Sequence, residues 1–153
     1  MIGKGLIAGL AATVVLSALM VMKAMMGVMP ELDLPKMLAT MMGSPASPMV
    51  GWVVHFMIGN VGYGIAISLL DARLPGHSST WHGVLIAVAG WLVMMVVLMP
   101  MASAGMFGMA MGPMAPIMTL VLHLIFGAVL GWSYGRLVAG TAQDAARRSV
   151  PSH

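Results

Sequence analysis

The chain has no cysteine and very little charge. Without thiols, disulfides, thiolate metal sites and thiol redox chemistry are excluded, and cysteine usage says nothing about compartment. Only 7% of the 153 residues are Asp, Glu, Lys or Arg, whereas a soluble domain carries about 25%. The four acidic residues (Glu31, Asp33, Asp71 and Asp144) all fall outside the middle of the apolar runs, which argues against a carboxylate-driven proton antiporter. Neither a Ser/His/Asp set, an HExxH motif nor a phosphate-binding loop occurs, so the expectation is a protein that is not an enzyme. The net charge of +3 is distributed by position rather than gathered into a basic surface, and no nucleic-acid partner is expected.

What is abundant is apolar: 60% of the residues are hydrophobic. Four runs, at about 5–28, 49–70, 82–103 and 115–138, reach the roughly 20 residues that a bilayer-crossing helix needs. They lack the alternation of barrel strands, and only helices or closed barrels can satisfy their backbone in lipid. The expected fold is an all-α membrane protein, a four-transmembrane-helix bundle over residues 1–138, with the lipid bilayer as its first partner. Residues 139–153 read as a cytoplasmic tail, disordered from 141 on. The first run is longer than the apolar core of a signal peptide, and no small-x-small cleavage site follows it, so it reads as a span.

Charge sets the orientation. Lys4, Arg73, Arg136, Arg147 and Arg148 fall on the side of both termini, against Lys23 and Lys36 on the other. By the positive-inside rule both termini are cytoplasmic, in the inner membrane of a bacterium. Lys23 is then expected to snorkel to the outer headgroups. Between the first two runs, Leu32, Met37, Leu38 and Met41 suggest a short amphipathic piece on the outer interface. The Gly- and Met-rich stretch after the third run reads as an irregular, partly re-entrant connection.

Two histidines recur in similar settings. Residues 51–64 read GWVVHFMIGNVGYG and residues 119–135 read TLVLHLIFGAVLGWSYG. His55, Gly59 and Gly62 fall on one helical stripe, and so do His123, Gly127, Gly131 and Gly135. Histidine is costly in lipid and glycine lets helices approach closely, so both stripes are expected to face neighbouring helices. With the Met-rich connections, the recurrence suggests two parallel two-helix repeats, 1–70 and 82–138, related by an axis along the membrane normal. Both histidines lie about 9–12 Å from the outer ends of their spans at 1.5 Å per residue. Matched depth would let them share a haem b iron, a smaller metal ion or a quinone, or each could make a separate interhelical hydrogen bond.

Methionine is the second signal. All but Met1 of the twenty methionines lie towards the outer side. Thioethers suit Cu(I), and Met22, Met25 and Met29, or Met109 and Met111, could supply several sulfurs at close quarters. The bland alternative is that methionine is an adaptable packing residue.

The GWxxHFxIG segment at 51–59 and the HLIFGxxxGWxYG segment at 123–135 resemble those of a family of small bacterial four-helix membrane proteins of unknown function. The resemblance extends over residues 1–138; it implies a four-span inner-membrane protein and brings no activity with it. Three roles remain open: a non-enzymatic accessory or assembly subunit, alone as a homo-oligomer or in a larger membrane complex; a haem- or Cu(I)-binding protein using His55, His123 and the outer methionines; and a small oligomeric transporter.

Overall fold

The computed structural model describes residues 1–149; residues 150–153, the end of the expected tail, lie outside the described residues. The chain forms α1 (Ile2–Met25), α2 (Leu34–Met41), α3 (Pro48–Leu70), α4 (Ser79–Met101) and α5 (Met114–Arg148), with no strand among the described residues. All but α2 are long and apolar enough to cross a bilayer, with mean hydropathies from 1.7 to 2.5. The 24 residues of α1 give it a length of about 36 Å, against about 30 Å of hydrocarbon. Large apolar side chains such as Val14, Val53, Val93 and Ile117 point outward and are more than half exposed. A soluble fold would hide them; in lipid they are in their own solvent.

The interior is built on small residues. In α1, Gly5, Gly9 and Thr13 recur every four residues and meet α3. A Cβ on Gly9 would lie 2.6 Å from the Asn60 carbonyl oxygen, and one on Gly64 would lie 2.7 Å from that of Gly5. In the second half, a Cβ on Gly127 would lie 2.6 Å from the Gly83 carbonyl oxygen, and Gly131 is closed off by Ser79 and Thr80. Such proximity gains van der Waals packing, the main attraction left between helices in lipid. Each half thus forms an antiparallel pair, α1 with α3 and α4 with α5. The helix α1 also lies along α5, where Ala8, Ala12, Ile67, Ile86, Ala87, Phe126, Leu130 and Tyr134 form the buried core.

The halves differ in local detail. In α3 a π-helical stretch runs from Met57 to Gly62, and in α4 another runs from Met94 to Leu98. The second has a clear cause: Pro100 has no N–H and its ring crowds the carbonyl four residues back, so the preceding turn widens. These bulges occupy the second span of one half and the first span of the other, so they do not follow the repeat.

The end of the bundle away from the termini is closed by chain rather than left open. Asp33 caps α2, its carboxylate accepting from the Lys36 N–H at 3.0 Å. A Cβ on Gly51 would run into the Pro35 carbonyl, so α2 is pressed against the start of α3. Leu32 and Leu38 are buried there, so this piece packs on protein instead of lying on the lipid interface. Lys23 reaches past the end of α1. Its ammonium donates to the carbonyls of Val28, Met29 and Leu32 at 3.0, 2.9 and 2.9 Å. The carbonyls past the end of α1 need donors, and a lysine one turn back supplies all three.

Nor is the chain disordered from residue 141. The last helix runs on to Arg148 because TAQDAARR is rich in good helix formers and ends with Arg147 and Arg148 at the negative end of the helix dipole.

Candidate functional site

Between α3 on one side and α4 and α5 on the other lies a half-open cavity of about 410 Å³. This is within the roughly 300–1,000 Å³ of small-molecule sites. His55, Ile58, Gly59, Gly62 and Tyr63 of α3 face Gly90, Val93, Met94 and Leu98 of α4 and His123 and Phe126 of α5. Leu16 of α1, Leu34 and Leu38 of α2, Ala66 of α3 and Ile86 of α4 complete it. Both π-helical stretches contribute residues to the wall, and such bulges recur at functional sites. Tyr63 crosses the cavity towards α4: its ring packs edge-on against Phe126, with centroids 4.8 Å apart, and its hydroxyl rests against Gly90.

The structure therefore brings His55 and His123 to one space. His55 is buried, with its ring edge-on to Trp52 and Phe56 at 5.7 and 5.8 Å. Its Nε2 lies 3.2 Å from the Ser17 hydroxyl. Ser17 gives its only proton to the Thr13 carbonyl at 2.7 Å, so the proton of the His55 contact must come from the ring. Neutral His55 is consequently the Nε2–H tautomer, with a bare lone pair on Nδ1. His123 is fixed from the other nitrogen. Its Nδ1 lies 2.8 Å from the Thr119 carbonyl, which can only accept, so Nδ1 carries the proton and Nε2 is bare. Each ring spends its N–H inside the protein and has a lone pair left over. A smaller pocket of about 40 Å³ beside His123 leads towards Met20 and Lys23.

The five methionines read as copper ligands are not gathered. Met22, Met25 and Met109 are more than half exposed, at 54%, 83% and 56%. Met29 and Met111 instead pack against a cluster of Leu32, Met94, Met95, Met99 and Ala104. Methionine is the filler of this end because its unbranched thioether adapts to an irregular connection. Among the described residues no group of three His, Cys, Asp or Glu side chains could hold a metal ion. Gly62 is corrected too: a Cβ there would meet nothing within 4 Å, so it borders the cavity rather than a helix contact. Gly59 abuts Thr13, and Gly135 lies near Ser79, where a Cβ would come within 3.2 Å of the serine Cβ.

Several polar partners carry little signal of their own in the sequence. Ser17 is one, although Gly5, Gly9, Thr13 and Ser17 share a stripe that could have revealed it. Thr119 is another: its hydroxyl accepts from Trp91 Nε1–H at 3.0 Å and donates to the Ala115 carbonyl at 2.8 Å. At the end holding the termini, His82 is buried and paired with Asp71. The Asn60 Oδ1, His82 Nε2 and Tyr134 hydroxyl are buried without a partner.

Comparison with known proteins adds a family and no activity. No curated protein and no solved structure matches the chain. A family model described as a family of unknown function, DUF6789, matches residues 1–145. That match takes in the first three long apolar helices, all of α5 but its last three residues, and both His55 and His123, and the chain belongs to the DUF6789 family.

Proposed function

We propose that this chain is a multi-pass membrane protein that holds a small lipid-soluble ligand in the cavity between His55 and His123, and does so without catalysing a reaction. One observation carries this reading: a half-open, largely apolar cavity of ligand size is lined by two histidines, each of which commits one ring nitrogen to a partner inside the protein. Polar groups this deep in a membrane helix are expensive unless they have a use. The glycine faces that could have joined the chain to a partner are consumed between its own helices, at Gly5, Gly9, Gly59, Gly83, Gly127 and Gly131. This weakens the reading as an assembly subunit held through glycine. The end carrying Lys4, Arg73 and Arg136 is placed in the cytoplasm by the positive-inside rule, and terminal reporter fusions test it. A periplasm-only reporter active at the C-terminus would reverse it.

Haem is a second reading, favoured by the His123 geometry, since a ligating imidazole usually donates its other N–H to a carbonyl or carboxylate. The scattered thioethers give Cu(I) no comparable support. The test is organic extraction of the protein purified in mild detergent, alongside its visible spectrum. The expected result is a small molecule at about one per chain that is lost from Gly62→Leu, because a side chain there has room to enter the cavity. Identical extracts from the two proteins, with no Soret band, would sink the reading.

A further inference from the structure

We infer that the ligand of this cavity is a neutral quinol, a ring bearing hydroxyl donors on an apolar tail. This rests on the reading that the cavity holds a ligand at all, and it deepens that reading by fixing the ligand's hydrogen-bonding sense.

The Nε2–H of His55 is committed to Ser17 and the Nδ1–H of His123 to the Thr119 carbonyl. What the two rings present to a ligand is a pair of lone pairs. A lone pair accepts from O–H and has nothing to give a carbonyl. Quinones, ketones and the esters of phospholipids would set oxygen lone pairs against nitrogen lone pairs at both positions. A ring with hydroxyl groups satisfies both.

Charge narrows the choice further. The one further polar side chain on the wall is Tyr63, whose hydroxyl can donate to a quinol oxygen as well as to a carbonyl but leaves both imidazole lone pairs in need of O–H donors, and no Lys or Arg lines the cavity. The ammonium of Lys23, at the far side of the small pocket beside His123, is already occupied by three carbonyls. A carboxylate buried here would lack a partner, and an unpaired buried charge is far more costly than an unpaired hydroxyl. That argues against haem, whose two propionates both need partners. The rim supplies the tail's exit: Ile58 and Val93, both exposed and apolar, border the cavity between α3 and α4.

The experiment uses the full chain in phosphatidylcholine nanodiscs and three probes that share one ring and one tail. They are a decyl-tailed benzoquinol kept reduced, the matching quinone, and the quinol's dimethyl ether, which has no donor. Affinity is read from the rise in melting temperature with ligand concentration. One neutral hydrogen bond corresponds to about five- to tenfold in affinity. The expected result is quinol binding at least about tenfold tighter than quinone or ether, since two bonds are lost together. His123→Leu should weaken quinol binding about five- to tenfold and ether binding much less, and its melting temperature without ligand reports whether the variant is folded. In ¹⁵N-histidine spectra, quinol should shift the unprotonated nitrogens of both rings and the ether should not. Should the histidine variant fail to fold, Ser17→Ala serves instead. It releases the His55 tautomer, and the preference for quinol over quinone should fall.

Equal binding of the three probes would overturn the quinol assignment while leaving the cavity a ligand site. So would a Soret band at one haem per chain that quinol cannot displace. If no probe binds and Gly62→Leu yields the same extract as the parent, both the assignment and the proposed function fail.

Discussion

His82 and Asp71 close the loop between the second and third spans: the ring Nδ1–H of His82 donates to the Asp71 carboxylate at 2.8 Å. Side-chain exposure is 5% for the histidine and 21% for the aspartate, so water competes weakly for the bond. The residues are eleven apart in sequence, and the contact ties the end of α3 to the first turn of α4. Asp71→Ala leaves the buried ring nitrogen without an acceptor and should cost about 1–3 kcal/mol. Asp71→Asn keeps an amide oxygen in reach and should cost less. Thermal unfolding in detergent measures both, and equal melting points for parent and Asp71→Ala would refute the structural role.

The seam between α4 and α5 should be the least forgiving surface in the protein. Gly127→Leu drives a side chain into the Gly83 carbonyl and Ala87, with the nearest atoms 2.6 and 2.7 Å from the new Cβ. Overpacking of this kind costs about 1–3 kcal/mol, and backbone atoms on the other side cannot step aside. Gly62→Ala is the control, because its Cβ meets nothing. A large fall in melting temperature for the first and little change for the second is expected. The reverse order would mean that α4 and α5 are not in contact there.

Methionine should matter by position and not by number. Met95 and Met99 are fully buried at the end of the bundle away from the termini. Met95→Ala should destabilise by about 2–5 kcal/mol through the lost contacts and the cavity left behind. Replacing Met22, Met25 and Met109 together by Leu should leave the melting temperature nearly unchanged, since all three are mostly exposed. A loss of stability in the triple variant comparable to Met95→Ala would contradict this placement.

Thr119 joins two helices through one hydroxyl. Thr119→Val keeps the shape and removes the acceptor for the Trp91 indole N–H. The unsatisfied N–H should cost about 1–3 kcal/mol, and Thr119→Ser should recover most of it. Melting curves read the stability, and tryptophan fluorescence reports the change at the indole. If serine fails to rescue, the lost methyl rather than the hydroxyl bond is responsible.

Four apolar helices could be read from the residues alone, because in lipid a backbone must satisfy its own hydrogen bonds and only run length then decides what spans. The four-residue spacing of Gly5, Gly9 and Thr13, and of Gly127 and Gly131, places small residues on one face by helix geometry alone. Which neighbour each face meets is a different matter. Nothing local to α1 says that Ser17 stands beside His55, or that Gly83 receives Gly127. Nor does residue spacing separate thioethers that gather round an ion from thioethers that fill gaps, and Met22, Met25 and Met109 turn outward while Met95 turns in.

The tertiary structure alone decided the cavity and the protonation of its histidines. The widened turns at 57–62 and 94–98 both contribute residues to the wall of the open space beside α3 and α4. The tautomers follow from Ser17 and the Thr119 carbonyl, two partners whose own bonding had to be known first. A sequence fixes which nitrogens exist; only the packed neighbours determine which of them still has a lone pair to offer, because a proton goes to whichever side holds the acceptor.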